Sequence, residues 1–140
     1  SVLHANGNYA NLLQVPSGVS RPGNKPYIEM TGSEVFKFAV NSMESIVDEV
    51  LTDTGLEQAD IDWLVPHQAN KRILSATAKK LSLPVEKVVI TVQDHGNTSA
   101  ASIPLALDVA VNDGRIQRGH LLMMEAIGGG FAWGAVLLRY

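Results

Sequence analysis

At 140 residues the chain has the size of one domain, and with 46% hydrophobic and 18% charged residues it can fill a sizeable core. A net charge of −3 excludes the overall basic field of a nucleic-acid binder. The lack of cysteine excludes a disulfide framework, a thiolate metal site and any cysteine nucleophile from these residues.

The opening Ser1-Val2-Leu3-His4 has no Met, no charged start and no long apolar run, so it is not expected to be a secretory signal. It reads as the end of a strand already under way, and the chain is expected to be a fragment or proteolytic product of something longer. Residues 5 to 25 are rich in Asn, Gly, Pro and Ser and read as a loop around a short strand near Tyr9 to Val15. A second short strand is expected at Tyr27 to Met30. Thr31 and Glu34 fit a capping box at a helix start. Val35, Ala39, Met43, Ile46, Val47 and Val50 then recur at helical spacing, and Gly55 supplies a stop.

Ile61 to Val65 reads as a buried strand ended by Pro66. A helix is expected over Gln68 to Leu81, and the β-branched run Val88 to Val92 reads as a strand. Ser99 to Asn112 is apolar on nearly every face, which predicts a helix buried on all sides, with Pro104 tolerated near its first turn. Leu121 to Ile127 and Phe131 to Leu138 read as an antiparallel hairpin across Gly128-Gly129-Gly130. Leu121 to Ala126, the most apolar stretch, is far shorter than the roughly 20 residues a bilayer needs. Alternating helices and strands predict an α/β layer structure, with helices on a mostly parallel mixed sheet that ends in this antiparallel hairpin.

Three segments that could carry chemistry each follow a predicted strand, where open α/β sheets place their ligands. His67 sits at a strand-to-helix junction, where it either caps the helix or faces a cleft. Asn97 lies in His95-Gly96-Asn97-Thr98-Ser99, where Asn97 or Thr98 could cap the next helix. The positive end of that helix would also favour developing negative charge there. The three glycines are either a plain turn or a close backbone approach that brings an amide to an oxyanion. Lys71, Arg72, Lys79 and Lys80 fall within ten residues without an acid among them. Such a run is a solvated helix face or a docking patch for an acidic partner.

Trp63-Leu64-Val65-Pro66-His67-Gln68-Ala69-Asn70, Gly96-Asn97-Thr98-Ser99-Ala100-Ala101-Ser102 and Glu125-Ala126-Ile127-Gly128-Gly129-Gly130-Phe131 occur in that order, with His67 and Asn97 thirty positions apart. Together with the opening Leu3-His4-Ala5-Asn6-Gly7, they resemble the carboxy-terminal half of a β-ketoacyl-acyl-carrier-protein synthase III, of the thiolase superfamily. The resemblance runs along the whole chain.

It implies two similar α/β halves and a decarboxylating Claisen condensation that starts type II fatty-acid synthesis. An acyl group, usually acetyl, passes from coenzyme A to a cysteine of the other half. Malonyl on acyl carrier protein then loses carbon dioxide and attacks it. His67 and Asn97 match the catalytic pair, and the Gly129 amide matches an oxyanion donor. The helix after His67 matches the carrier-docking element, with Gln68, Ala69, Asn70, Lys71 and above all Arg72, supported by Lys37, Lys79 and Lys80. Asn70, Phe36 and Ser33 fall near the pantetheine tunnel, although the family leads one to expect Asn where Ser33 stands.

His4, His95 and His120 match no catalytic position and read as structural or surface residues. No metal or resident cofactor is implied; coenzyme A and phosphopantetheine thioesters are substrates. The family implies a cytoplasmic homodimer, without nucleic-acid or membrane partners, and an amino-terminal half, missing from these residues, without which this chain should be inactive. Two other readings compete: half of a chalcone-synthase-like polyketide synthase, and a non-catalytic fragment that only binds carrier protein.

Overall fold

The computed structural model describes residues 1–23 and 25–140; Asn24, inside the expected amino-terminal loop, lies outside the described residues. Six strands and four α-helices, joined by loops and short 3-10 helices, make up the described residues. Strand β1 (Val2–Ala5) is followed by a 3-10 helix at Gly7–Leu12, then β2 (Leu13–Gln14) and β3 (Glu29–Met30). Next come α1 (Gly32–Thr54), β4 (Trp63–Pro66), α2 (Lys71–Lys80) and the single turn α3 (Val92–His95). Helix α4 (Ser102–Asn112) and the hairpin β5 (Leu121–Gly128) and β6 (Ala132–Arg139) complete the chain. No helix among the described residues is long and apolar enough to cross a membrane.

The main sheet has the order β1-β6-β5-β4. The sheet is mixed and ends in an antiparallel hairpin, as expected, with β4–β5 as its parallel pairing and β1–β6 and β5–β6 antiparallel. The predicted hairpin forms, with Leu121 opposite Arg139 and Gly128 opposite Ala132. Two apolar clusters sandwich the sheet. Met43, Ile46, Val47 and Val50 of α1 and Ala78 of α2 pack with Met123 on one face. Ala106 and Ala110 of α4 pack with Val65 and Leu122 on the other. Alternation along β5 sends odd and even residues to opposite layers.

Several local expectations give way to a better hydrogen-bonding solution. Between Tyr9 and Val15 only Leu13–Gln14 is a strand, because Asn6 caps a 3-10 helix by accepting the Asn8 amide at 3.0 Å. The capping box at Thr31 does not form: the Thr31 hydroxyl makes no cap bond, and the Glu34 carboxylate accepts from Lys37 at 3.0 Å. Helix α1 nevertheless ends where expected, on Gly55 at φ 68°.

The segment Val88 to Val92 is not a strand. It makes one parallel bridge, Leu64 to Val88, and then enters α3. On the side of β4 away from β5, the Gln68 carboxamide takes the place of main-chain pairing with residues 89–92. Its Nε2 donates to the carbonyls of Pro66 and Val89, both at 2.9 Å. Its Oε1 accepts from the amides of Thr91 at 2.8 Å and Val92 at 3.1 Å. Gln68 therefore stays outside the helix predicted from it, and α2 starts at Lys71.

Helix α4 is buried at Ser102, Ala106 and Ala110 but not on all sides; Leu105 is 37% exposed. Its sheet-facing side finds a partner layer in this chain, and its opposite apolar side does not. Pro104 falls in its first turn, where no intrahelical donor is lost.

Candidate active site

His67 follows the last residue of β4, and its amide donates to the Glu125 carbonyl at 2.8 Å, extending the parallel ladder one step. The chain then turns into Gln68, and the imidazole is left half-buried at the sheet's carboxyl edge. Nδ1 lies 2.6 Å from Ser102 Oγ. Desolvation by burial holds the His67 ionisation below its ordinary value of 6.5, so the ring is neutral at pH 7.

Asn97 reaches the same place from the loop between α3 and α4. Gly96 has φ 67° and ψ −162°, a region open essentially only to glycine. Asn97 Oδ1 then accepts the Ser99 amide at 3.0 Å, an Asx turn that leads into the 3-10 helix Ser99–Ala101, whose N-cap residue Thr98 makes no side-chain cap bond. Ser99 itself is held at φ 52°. The expected helix cap by Asn97 or Thr98 does not form; Asn97 Oδ1 is engaged by the turn, and among the described residues its Nδ2 makes no hydrogen bond.

His67, Asn97, Ser99, Gly128 and Gly129 line one open cleft of about 810 Å³, walled by Ile103, Met124, Trp133 and other apolar groups. Gly129 approaches Leu13 closely: a Cβ there would stand 3.2 Å from the Leu13 carbonyl oxygen. Low polarity around a few convergent donors strengthens any charge they face.

Sequence reasoning used Glu125 only as part of a motif. The structure makes it an unusual group, 2% exposed, with its Oε2 unpartnered. It lines a small cavity against His67, Thr77 and Met43, and the Thr77 hydroxyl there is unpartnered too. Burial pushes the Glu125 carboxyl up to about 8, so it is neutral at pH 7. The signal was present in the sequence: an acid interrupts the apolar run Leu121 to Ile127, and fully buried acids are rare.

The expected docking residues divide. Gln68 is fully buried with both ends of its carboxamide engaged, so it offers no surface to a partner. Ala69 is half-buried, and Asn70 caps α2 by accepting the Ile73 amide at 2.9 Å. Arg72 is exposed, with its guanidinium 5.7 Å from the centre of the Phe36 ring, which joins the starts of α1 and α2. Ser33 is exposed in the first turn of α1. Lys37 pairs with Glu34, and Lys80 pairs with Glu44 and donates to Asn41. Lys71, Arg72 and Lys79 are exposed without an acidic partner among the described residues.

Of the remaining histidines, His4 lines the same cleft beside Trp133. His4 pairs with Glu49 at 2.7 Å, and His120 Nδ1 accepts the Gln117 amide at 3.1 Å. His95 Nδ1 is buried without a partner. Among the described residues no group of His, Cys, Asp and Glu could hold a metal ion.

Comparison with known proteins gives these residues a setting. The family described as 3-oxoacyl-[acyl-carrier-protein] synthase III C terminal matches residues 51–140, which include His67, Asn97 and the glycines. The β-ketoacyl-[acyl-carrier-protein] synthase III of Thioalkalivibrio sulfidiphilus is 61% identical over 99% of this chain, and that of Alkalilimnicola ehrlichii is 59% identical over 99%. The chain spans 44% of the length of each. Among solved structures, the 3-oxoacyl-[acyl-carrier-protein] synthase III of Aquifex aeolicus superposes with a TM-score of 0.90 at 47% identity. That of Pseudomonas aeruginosa superposes at 0.92 and 41%; each comparison covers 99% of this chain and 43% of the other. The chain therefore has the thiolase-like fold of these enzymes and belongs to the 3-oxoacyl-[acyl-carrier-protein] synthase III family, as its carboxy-terminal half.

Proposed function

We propose that this chain supplies the malonyl-decarboxylation site and the carrier-docking helix of a condensing enzyme that joins an acyl-coenzyme A primer, acetyl in the first instance, to malonyl-acyl carrier protein. The observation that carries the reading is the shared cleft: His67, Asn97 and Gly129 arrive from three separate segments and line one apolar space.

The chemistry asks for donors that remain neutral. When malonyl loses carbon dioxide, the electrons of the broken C–C bond flow into the thioester, and charge collects on its oxygen. A neutral imidazole and a carboxamide both donate to that oxygen without adding a charge of their own. They speed the step to the extent that they bind the enolate better than the ground-state carbonyl. The burial that holds His67 neutral and the turn that occupies Asn97 Oδ1 both support this role. The enolate carbon then attacks an acyl-thioester carbonyl, whose oxygen receives the Gly129 amide, and the cysteine thiolate leaves.

That cysteine belongs to an amino-terminal half, because this chain has none. The same half would cover the exposed apolar side of α4 and the edge residues Leu3, Val136 and Leu138. In this reading the intact enzyme is a cytoplasmic homodimer. Arg72, with Lys71 and Lys79, meets the acidic carrier, while Lys37 and Lys80 lend charge from their existing pairs. Phe36, Ser33 and Asn70 flank the incoming pantetheine.

Condensation of acetyl-coenzyme A with malonyl-carrier by the full-length protein tests the reading. Equal activity with malonyl-coenzyme A would move the assignment to a chalcone-synthase-like enzyme. Carrier binding without condensation would leave only a binding module.

A further inference from the structure

We propose that Ser102 is a positioning residue that sets the tautomer of His67, holding the proton on Nε2 where the cleft needs a donor. The inference deepens the enolate reading and rests on it. Ser102 is the first residue of α4 and is 2% exposed, so its hydroxyl has to find partners within the protein.

Two neighbours are in reach. The Gln68 amide donates to Ser102 Oγ at 3.2 Å, and His67 Nδ1 lies 2.6 Å away. A backbone amide is always a donor, so Oγ already accepts one bond and its own hydrogen needs an acceptor. Among the described residues His67 Nδ1 is the acceptor on offer. The reverse arrangement, with Nδ1–H donating to Oγ, would make Oγ accept twice and strand the hydroxyl hydrogen in a buried site. The donor and acceptor count therefore selects Nδ1 as acceptor and Nε2 as the protonated nitrogen. The Gln68 side chain locks the frame, because its bonds to Pro66, Val89, Thr91 and Val92 fix the backbone that presents both His67 and the Gln68 amide.

The inference ties the decarboxylation site to the start of α4 by two independent threads: Ser102 orients His67, and Ser99 orients Asn97. Each leaves a nitrogen-bound hydrogen for the cleft.

The test uses the full-length protein containing this chain, labelled with ¹⁵N-histidine, with the His67 signals identified by their loss in His67→Gln. The wild-type spectrum should show Nε2 as the protonated nitrogen and Nδ1 as the bare one. Ser102→Ala should shift both resonances toward averaged values and slow carbon dioxide release from malonyl-carrier about 10- to 100-fold, as loss of an orienting partner does elsewhere. The KM for malonyl-carrier and acyl transfer to the cysteine should hold. Ser102→Thr, which keeps the hydroxyl, should restore the nitrogen pattern and most of the rate. A wild-type spectrum with the proton on Nδ1 overturns the proposal, as does an unchanged pattern in Ser102→Ala. Failure of the enolate reading looks different: Asn97→Ala would leave carbon dioxide release intact while the Ser102 variants still moved the His67 nitrogens.

Discussion

Asn97 Oδ1 accepts the Ser99 amide at 3.0 Å, and this one bond decides which end of the Asn97 carboxamide is available to the cleft. The acceptor is occupied by the turn and the donor is not. An asparagine whose oxygen faced the cleft would repel an enolate. The local backbone, with Gly96 at φ 67° and Ser99 at φ 52°, is what brings the Ser99 amide to that oxygen.

Asn97→Ala should therefore slow malonyl decarboxylation by about 100- to 1,000-fold, the usual effect of losing one oxyanion donor. Acyl transfer from coenzyme A to the cysteine of the whole enzyme should survive. Asn97→Asp is the sharper variant: it keeps the acceptor for Ser99 but turns a carboxylate toward the enolate, so the turn should persist while decarboxylation is lost. Radiolabelled carbon dioxide release and single-turnover acylation check both, and equal collapse of the two steps would assign Asn97 some other task.

Gly96→Ala should destabilise the protein through strain rather than collision. Nothing lies within 4 Å of a Cβ placed at Gly96, yet its φ of 67° is one that side chains rarely adopt. A cost of about 1–3 kcal/mol is expected, visible as a lowered denaturation midpoint. Malonyl turnover should fall with it, because the strained residue precedes Asn97 directly. An unchanged midpoint would mean that the loop relaxes freely.

Glu125→Gln tests the buried acid. Its carboxyl is raised from an ordinary 4.5 to about 8, so between those values the folded protein holds a proton that the unfolded chain has released. The neutral carboxyl's contribution to stability is fully present below about pH 4.5 and is lost as pH rises through about 8. The variant cannot ionise, so its stability relative to wild type should grow from pH 5 to pH 9. Denaturant melts across that range read the difference, and parallel curves would contradict the buried, neutral state.

Arg72→Glu should raise the KM for acyl carrier protein about tenfold while leaving that for acetyl-coenzyme A nearly unchanged, and the effect should shrink in high salt. Lys80→Ala should matter less for docking, because the Lys80 ammonium is already held by Glu44 and Asn41. Equal effects of Arg72→Glu on both substrates would place the cation elsewhere than on the carrier's path.

Much of this arrangement was legible in the residues themselves. Helical spacing from Val35 to Val50 and the αL stop at Gly55 marked α1, and two apolar runs around three glycines marked the hairpin. What escaped were places where a side chain replaces backbone pairing. Gln68 reads as an ordinary first helical residue, yet its carboxamide closes the gap between β4 and α3. Ser102 reads as one more small residue in an apolar helix, yet it holds the His67 ring. Sequence periodicity reports which face is apolar; it does not report which polar atom a buried backbone group will choose. The exposed side of α4 was missed for a different reason, since an all-apolar helix announces that it is covered without saying by which chain.

The central claim is that His67 and Asn97 hold one oxygen between them. A crystal structure of the full-length enzyme with a non-decarboxylating malonyl-thioester analogue measures this directly. The thioester carbonyl oxygen should lie about 2.7–3.1 Å from both His67 Nε2 and Asn97 Nδ2. An oxygen that contacts only one of these nitrogens, or neither, would contradict the account.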